Sequence, residues 1–352
     1  MDIPKQVNEK ENGKHSDKKN VDYLNAKANK LKSVLATVVA LDGSSYRKPG
    51  VRMLILENDT MIGAVSGGCV EKDILRQAQS VFESGQAKMM TYDGRYRLGC
   101  EGVLYILIEH FEPSEGCISA FYKTLKSRHS FHIHSNYIKE EGVFRSLGST
   151  IQLKSKSFQL SNFSKEKNEL SLFSEELPPC FKLMIFGAEH DAVTLCQLAN
   201  FNGWEVTIIS GPLESKTIDN FPGATAFYSV SPDSLELNSI DQETAIVIMS
   251  HNYANDLKYL LELKDSKPAY LGLLGPSKRR EKLLSQFLEY CPDVEESFID
   301  NIFGPAGLNI GAETPQEIAI SIISEILSVI REQTPMSLKE KRASIHSKTR
   351  LD

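Results

Sequence analysis

The chain has 352 residues, 41% of them hydrophobic, and a formal net charge of -6. That length suggests two domains, and the mild acidity argues against a general nucleic-acid binder, which would show a basic face. No stretch reaches the roughly 18 consecutive apolar residues of a membrane span, and six scattered cysteines without a C-x-x-C pair argue against a disulfide framework and a structural zinc site.

Residues 1–21 are rich in Lys, Glu and Asn with almost nothing apolar, which predicts a disordered tail. They hold no apolar signal-peptide core, so a cytoplasmic protein is expected. Val34 to Leu41 reads as a buried strand. Met53 to Leu56 and Met61 to Val65 predict a hairpin turning at Glu57 to Thr60. A helix is expected from Glu71 to Ser84, stopped by Gly85, and a strand from Val103 to Ile108. Together these predict a smaller mixed α/β domain over 22–150. Phe131 to His134 alternates as a strand would. Residues 151–179, polar and ending in Pro178-Pro179, are expected to be a linker.

The second half alternates strand and helix. Leu183 to Phe186, Val206 to Ile209, Ala245 to Met249 and Tyr270 to Leu274 are continuous apolar runs. A helix follows the first, with Ala192, Leu195, Cys196 and Ala199 on one face, and further helices are expected near Asn255 to Lys264 and Lys278 to Leu288. This pattern predicts a parallel sheet covered on both faces, a Rossmann-like doubly wound domain over 180–335. Thr314-Pro315-Gln316-Glu317 is a capping box with proline at the first helical position. Ile318, Ile322, Ile326 and Ile330 follow it as an apolar stripe expected to pack on the sheet, with a dimer face as the alternative. A polar tail is expected over 336–352.

Three glycine-bearing turns stand out in the first half: Gly43-Ser44-Ser45-Tyr46-Arg47 with Pro49-Gly50-Val51-Arg52, Gly67-Gly68-Cys69-Val70-Glu71, and Gly99-Cys100-Glu101-Gly102. Glycine lets backbone N–H groups approach a ligand, and runs of them make anion-binding concavities. Arginine grips phosphate through a planar fork, and thiolate suits soft metals. Gly43, Ser44, Ser45, Arg47, Arg52, Gly67, Gly68, Cys69, Glu71 and Cys100 are therefore candidates for a phosphate-bearing ligand, with Cys69 and Cys100 as the candidates nearest a metal. The alternatives are a solvated turn and two small buried hydrophobes.

In an open parallel sheet, ligands bind beyond the carboxyl ends of the strands. Here those ends carry Gly187-Ala188-Glu189-His190-Asp191, Ser250-His251-Asn252 and Gly275-Pro276-Ser277, which makes Gly187, His251 and Gly275 candidates. The first loop is a damaged dinucleotide fingerprint. Gly187 and Ala192 fit, but Glu189 puts bulk and negative charge where backbone should approach a pyrophosphate. Ser210 stands where the ribose-binding acid is expected, so NAD(P) is disfavoured. Asp256 is placed either to orient His251 or to cap a helix.

These residues resemble the XdhC/CoxI family, accessory proteins of molybdenum hydroxylases such as xanthine dehydrogenase. In the first half the likeness rests on Ala36-Thr37-Val38-Val39, Gly43 to Arg47, Pro49 to Met53 and Gly67 to Glu71. In the second it rests on Gly203 to Thr207, Met249 to Tyr253, Gly272 to Pro276 and Gly307 to Pro315. The resemblance implies a carrier of the molybdenum cofactor (molybdopterin) that protects it and helps load its sulfurated form into an apo molybdenum hydroxylase. It also implies an N-terminal XdhC/CoxI domain and a C-terminal Rossmann-like domain. Expected partners are the apo-hydroxylase, a cysteine desulfurase and a second copy of the chain. The chain departs from the family's usual Gly at 189 and Asp at 210, and shows Cys100-Glu101-Gly102 for its Cys-Gly-Gly. The competing expectations are an NAD(P)-dependent oxidoreductase built on the C-terminal sheet and a scaffold that only binds partners.

Overall fold

A computed structural model describes residues 7–9, 31–43, 48–65, 69–94, 102–164, 169–235 and 240–341. The chain divides into two compact units, Lys19–Pro179 and a second made of Met1–Lys18 with Cys180–Asp352. The expected disordered tail and polar tail fall largely outside the described residues. Within the former, β1 (Val7–Glu9) is a strand of the second unit.

The first unit holds two antiparallel sheets. β2 (Ser33–Asp42), β3 (Arg52–Leu56), β4 (Met61–Gly63), α1 (Cys69–Ser84), β5 (Lys88–Asp93) and β6 (Val103–His110) come first. They are followed by α2 (Glu115–Lys126), β7 (Phe131–Tyr137), β8 (Gly142–Val143), β9 (Gly148–Leu153), β10 (Lys156–Gln159) and β11 (Ser171–Leu177). The six-stranded sheet runs β4-β3-β2-β6-β5-β8 and the four-stranded one β10-β9-β7-β11. Residues 151–179 are thus not a linker. They complete β9 and form β10 and β11. Their polar composition reflects edge strands with one wet face, which read like a loop in sequence.

Period-two alternation decides what each face of the six-stranded sheet meets. Val34, Ala36 and Val38 of β2, with Met53 and Ile55 of β3, pack against Val70, Ile74, Ala78 and Val81 of α1. The opposite face presents Val39 and Leu107 to Tyr137 and Phe173 of the four-stranded sheet. Cys117 of α2 joins Phe131, Ile133 and Ile151 in a further apolar cluster.

The second unit matches its expected class closely. β12 (Lys182–Phe186), α3 (His190–Phe201), β13 (Glu205–Ser210), β14 (Ala226–Ser229), β15 (Thr244–Ile248) and α4 (Tyr253–Leu263) lead the chain. β16 (Tyr270–Leu273), α5 (Ser277–Tyr290), α6 (Glu296–Asp300), β17 (Ile302–Phe303) and α7 (Pro315–Ile330) complete it. The sheet order is β1-β14-β13-β12-β15-β16-β17, with β1 antiparallel and the other six parallel. Counted along the chain, the six run 3-2-1-4-5-6, the doubly wound dinucleotide-fold order, whose reversal point lies between β12 and β15. Ala192, Leu195, Cys196 and Ala199 of α3 are fully buried with Ile322 and Ile326 of α7. Burying each larger apolar side chain contributes about 1.5–3 kcal/mol. Thr314 caps α7 through the reciprocal bonds of a capping box with Glu317. None of these helices is long and apolar enough to cross a membrane.

Candidate functional site

The register of the six-stranded sheet brings the strand ends that flank the three glycine turns to one end. Asp42 at the finish of β2 and Asp93 at the finish of β5 both pair with Val103, the first residue of β6. Arg52 at the start of β3 pairs with Thr37, and Gly63 at the finish of β4 pairs with Met53. The loops after β2, β4 and β5 therefore leave the sheet together. Each is pinned at its base. The N–H of Gly50 donates to Val38 O at 2.8 Å, and that of Gly94 to Gly102 O at 3.0 Å. The Val65 N–H donates to Glu71 Oε1 at 3.0 Å. Hydrogen bonds from Lys139 and Tyr105 hold the Asp42 carboxyl below its usual range at the mouth of the first loop.

Of the candidates in these loops, Gly43, Arg52 and Glu71 lie within the described residues. Ser44, Ser45, Arg47, Gly67, Gly68 and Cys100 lie outside them, and of Cys69 only the backbone, opening α1, is described. Glu71 is buried and turned to backbone. Arg52 is held at one end, where Nη1 donates to Glu175 Oε2 at 2.6 Å and to Gly50 O at 3.0 Å. A Cβ on Gly50 would lie 2.4 Å from Glu175 Oε1, so glycine makes room for that carboxylate. The other edge of the guanidinium is different: Nε and Nη2 are buried without a hydrogen-bond partner, as is Thr37 Oγ1. Leaving such a group unmatched costs about 1–3 kcal/mol.

Glu109, fully buried on the same sheet face, accepts from the Ser149 N–H at 2.8 Å, Ser149 Oγ at 2.5 Å and Ser161 Oγ at 2.5 Å. Burial pushes its carboxyl up, while the serine bonds and nearby Arg52 pull it down. No local sequence pattern marks Glu109 or Glu175, and Thr37 stands out only within the block Ala36-Thr37-Val38-Val39. Glu175 lies 123 residues from the arginine it holds.

In the second unit side chains of the strand-end loops contact one another. His251 Nε2 lies 3.4 Å from Asp191 Oδ2, across the reversal point. Asp256 does not orient His251. It accepts from Ser250 Oγ at 2.5 Å and pairs with Arg279 Nη2 at 2.6 Å. Gly275 passes close to that arginine, since a Cβ there would lie 2.9 Å from Arg279 Cδ. Gly187 must be glycine: its φ is 145°, and a Cβ would lie 2.3 Å from Met249 O. Glu189 opens α3 without capping it. Lys216 Nζ donates to Ala188 O at 2.7 Å and sits 3.4 Å from Glu189 Oε2, so the chain's own charges occupy the loop where a pyrophosphate would lie. A cavity of about 820 Å³ opens elsewhere, beside Gln242, Tyr270 and Cys291 before and around the starts of β15 and β16. Among the described residues no group of three or more His, Cys, Asp or Glu side chains is arranged to hold a metal.

Two family models match the chain. One, described as the XdhC Rossmann domain, spans residues 183–326, and the other, the XdhC and CoxI family, spans 26–93; together they cover more than half of the sequence. A Bacillus subtilis protein, named as a probable subunit of xanthine dehydrogenase, is 29% identical over 320 residues, covering 84% of this chain and 92% of that one. The Escherichia coli "Molybdenum cofactor insertion chaperone PaoD" is 26% identical over 298 residues, 84% of this chain and 83% of its own. A crystal structure described as a xanthine dehydrogenase from Bacillus halodurans superposes with a TM-score of 0.73 at 26% identity, covering 92% of this chain and 97% of that one.

Proposed function

The chain belongs to the XdhC and CoxI family, and we propose on that footing that it is a maturation factor for a molybdenum hydroxylase of the xanthine dehydrogenase type. It binds the molybdenum cofactor, protects it, and helps insert the sulfurated form into the apo-enzyme. It acts as a carrier rather than as an enzyme, in the cytoplasm, as a homodimer, with a cysteine desulfurase as the source of sulfur.

One observation supports this most: three glycine-bearing loops leave a single sheet end with a guanidinium at their base. Molybdopterin presents a phosphate, a hydrogen-bonding pterin and a dithiolene-held metal. Backbone N–H groups and arginine suit the first two. The unpaired buried N–H groups of Arg52 fit such an acceptor-rich ligand. Bound, the cofactor supplies the redox metal that the hydroxylase uses; the chain's own residues hold it and keep water away. Cys69 and Cys100 are the proposed neighbours of the dithiolene. Expression in a molybdopterin-producing host, followed by release and quantification of bound pterin, tests the reading. Near-stoichiometric pterin without turnover is expected, and a chain that emerges from gel filtration pterin-free ends it.

The strand order and Gly187 favour a second reading, an NAD(P)-dependent oxidoreductase. Glu189, Lys216 and Ser210 oppose it, because they place a carboxylate and its partner at the phosphate position and no acid at the ribose. Saturable quenching of NADPH fluorescence would revive it.

A further inference from the structure

Thr37 and Arg52 are direct partners across the β2–β3 ladder, so their side chains rise from one face of the sheet. Thr37 has no exposed surface and its hydroxyl has no partner; Arg52, its partner across the ladder, leaves Nε and Nη2 unmatched. Buried polar groups without partners are few in folded proteins, and three of them on two opposed residues leave room for a water, an ion or a ligand group to match them. The matching group has a defined shape. Nε–H and Nη2–H point the same way along one edge of the guanidinium, the fork that takes two oxygens of one phosphate or carboxylate. The Thr37 hydroxyl adds a third donor.

We infer that Thr37 and Arg52 form an oxyanion seat at the base of the glycine loops, built for the phosphate of the carried ligand. The inference rests on the carrier reading only for the identity of that ligand. Glu175 is a positioning residue. It grips Nη1, at the opposite end of the guanidinium from Nε, and fixes the plane in which the free edge lies. Gly50 lets its carboxylate come that close. Glu109, the other carboxylate on this face, is occupied by its own serines.

The test uses the full chain and two probes: sodium pyrophosphate in a calorimetric titration, and pterin content after purification from a molybdopterin-producing host. Thr37→Val keeps the shape of the side chain and removes only the hydroxyl. Arg52→Lys keeps a cation for Glu175 and removes the fork. Wild type is expected to bind pyrophosphate, both variants about tenfold or more weakly, and pyrophosphate to displace pterin from the wild type. Thr37→Val carries the test if Arg52→Lys fails to fold. Absent pyrophosphate binding, or equal affinity in wild type and variants, overturns the seat and assigns the two residues an internal water instead. Equal pterin in all three proteins with equal pyrophosphate affinity overturns the seat and leaves the carrier reading standing. Pyrophosphate binding that the variants lose, in a chain that never carries pterin, keeps the seat and ends the carrier reading.

Discussion

His251 Nε2 lies 3.4 Å from Asp191 Oδ2, which ties the loop after β15 to the first turn of α3 at the point where the strand order reverses. Both side chains reach solvent, so the pair contributes about 0–1 kcal/mol. The backbone beneath the histidine is the costlier feature. His251 has a φ of 54°, a left-handed conformation that disfavours any residue with a Cβ by about 1–2 kcal/mol.

His251→Gly should therefore unfold at higher urea than His251→Ala, by about 1 kcal/mol, although both lose the contact with Asp191. Equal midpoints would mean that the loop relaxes and holds no such strain.

Gly187→Ala should be severe. The added Cβ meets the carbonyl of Met249, which is backbone and cannot swing aside. A loss of about 3 kcal/mol or more is expected, read as a drop in soluble yield and melting temperature. A variant that melts with the wild type would show that β12 and β15 can separate at that point.

Arg279→Ala should cost about 3–5 kcal/mol, because Asp256 is only 3% exposed and would lose its cation. Arg279→Ala with Asp256→Asn should recover much of that loss in a denaturation series. No recovery would mean that packing of Arg279 over Tyr253, rather than charge, carries the effect.

Glu109 predicts a pH dependence. Burial, above all, raises its folded-state carboxyl above the ordinary glutamate range. The folded protein then holds that proton more tightly than the unfolded chain. Its contribution is fully present below the unfolded value and is lost as pH rises through the folded one. Glu109→Gln mimics the protonated form and should flatten the fall in stability as pH climbs out of the glutamate range. Urea titrations of both proteins across the acid-to-neutral range check this, and parallel curves would remove Glu109 as the cause.

Much of the second unit is readable in its sequence because β12, β13, β15 and β16 are short unbroken apolar runs separated by helical periodicity, a pattern set by burial on both faces. The four-stranded sheet is not. Gly148 to Leu153 and Ser171 to Leu177 mix serine, glutamate and glutamine, and the burial of Ser149 follows from Glu109, 40 residues away. The candidate site divides the same way. Local composition marks the glycine turns, but their gathering at one sheet end depends on strand register, and the grip of Glu175 on Arg52 on a pairing between sheets. Asp191 is visible in the loop that yields Gly187; its partnership with His251 requires the strand order.

Each of the three glycine loops leaves the sheet beyond its last paired residues and carries a hydrogen bond at its base. A segment exchanged between Gly43 and Gly50, or between Gly94 and Gly102, contains none of the paired residues of β2, β3, β5 and β6. Chimaeras that take such a segment from a related chain should therefore keep the strand ladder and the melting temperature of the parent.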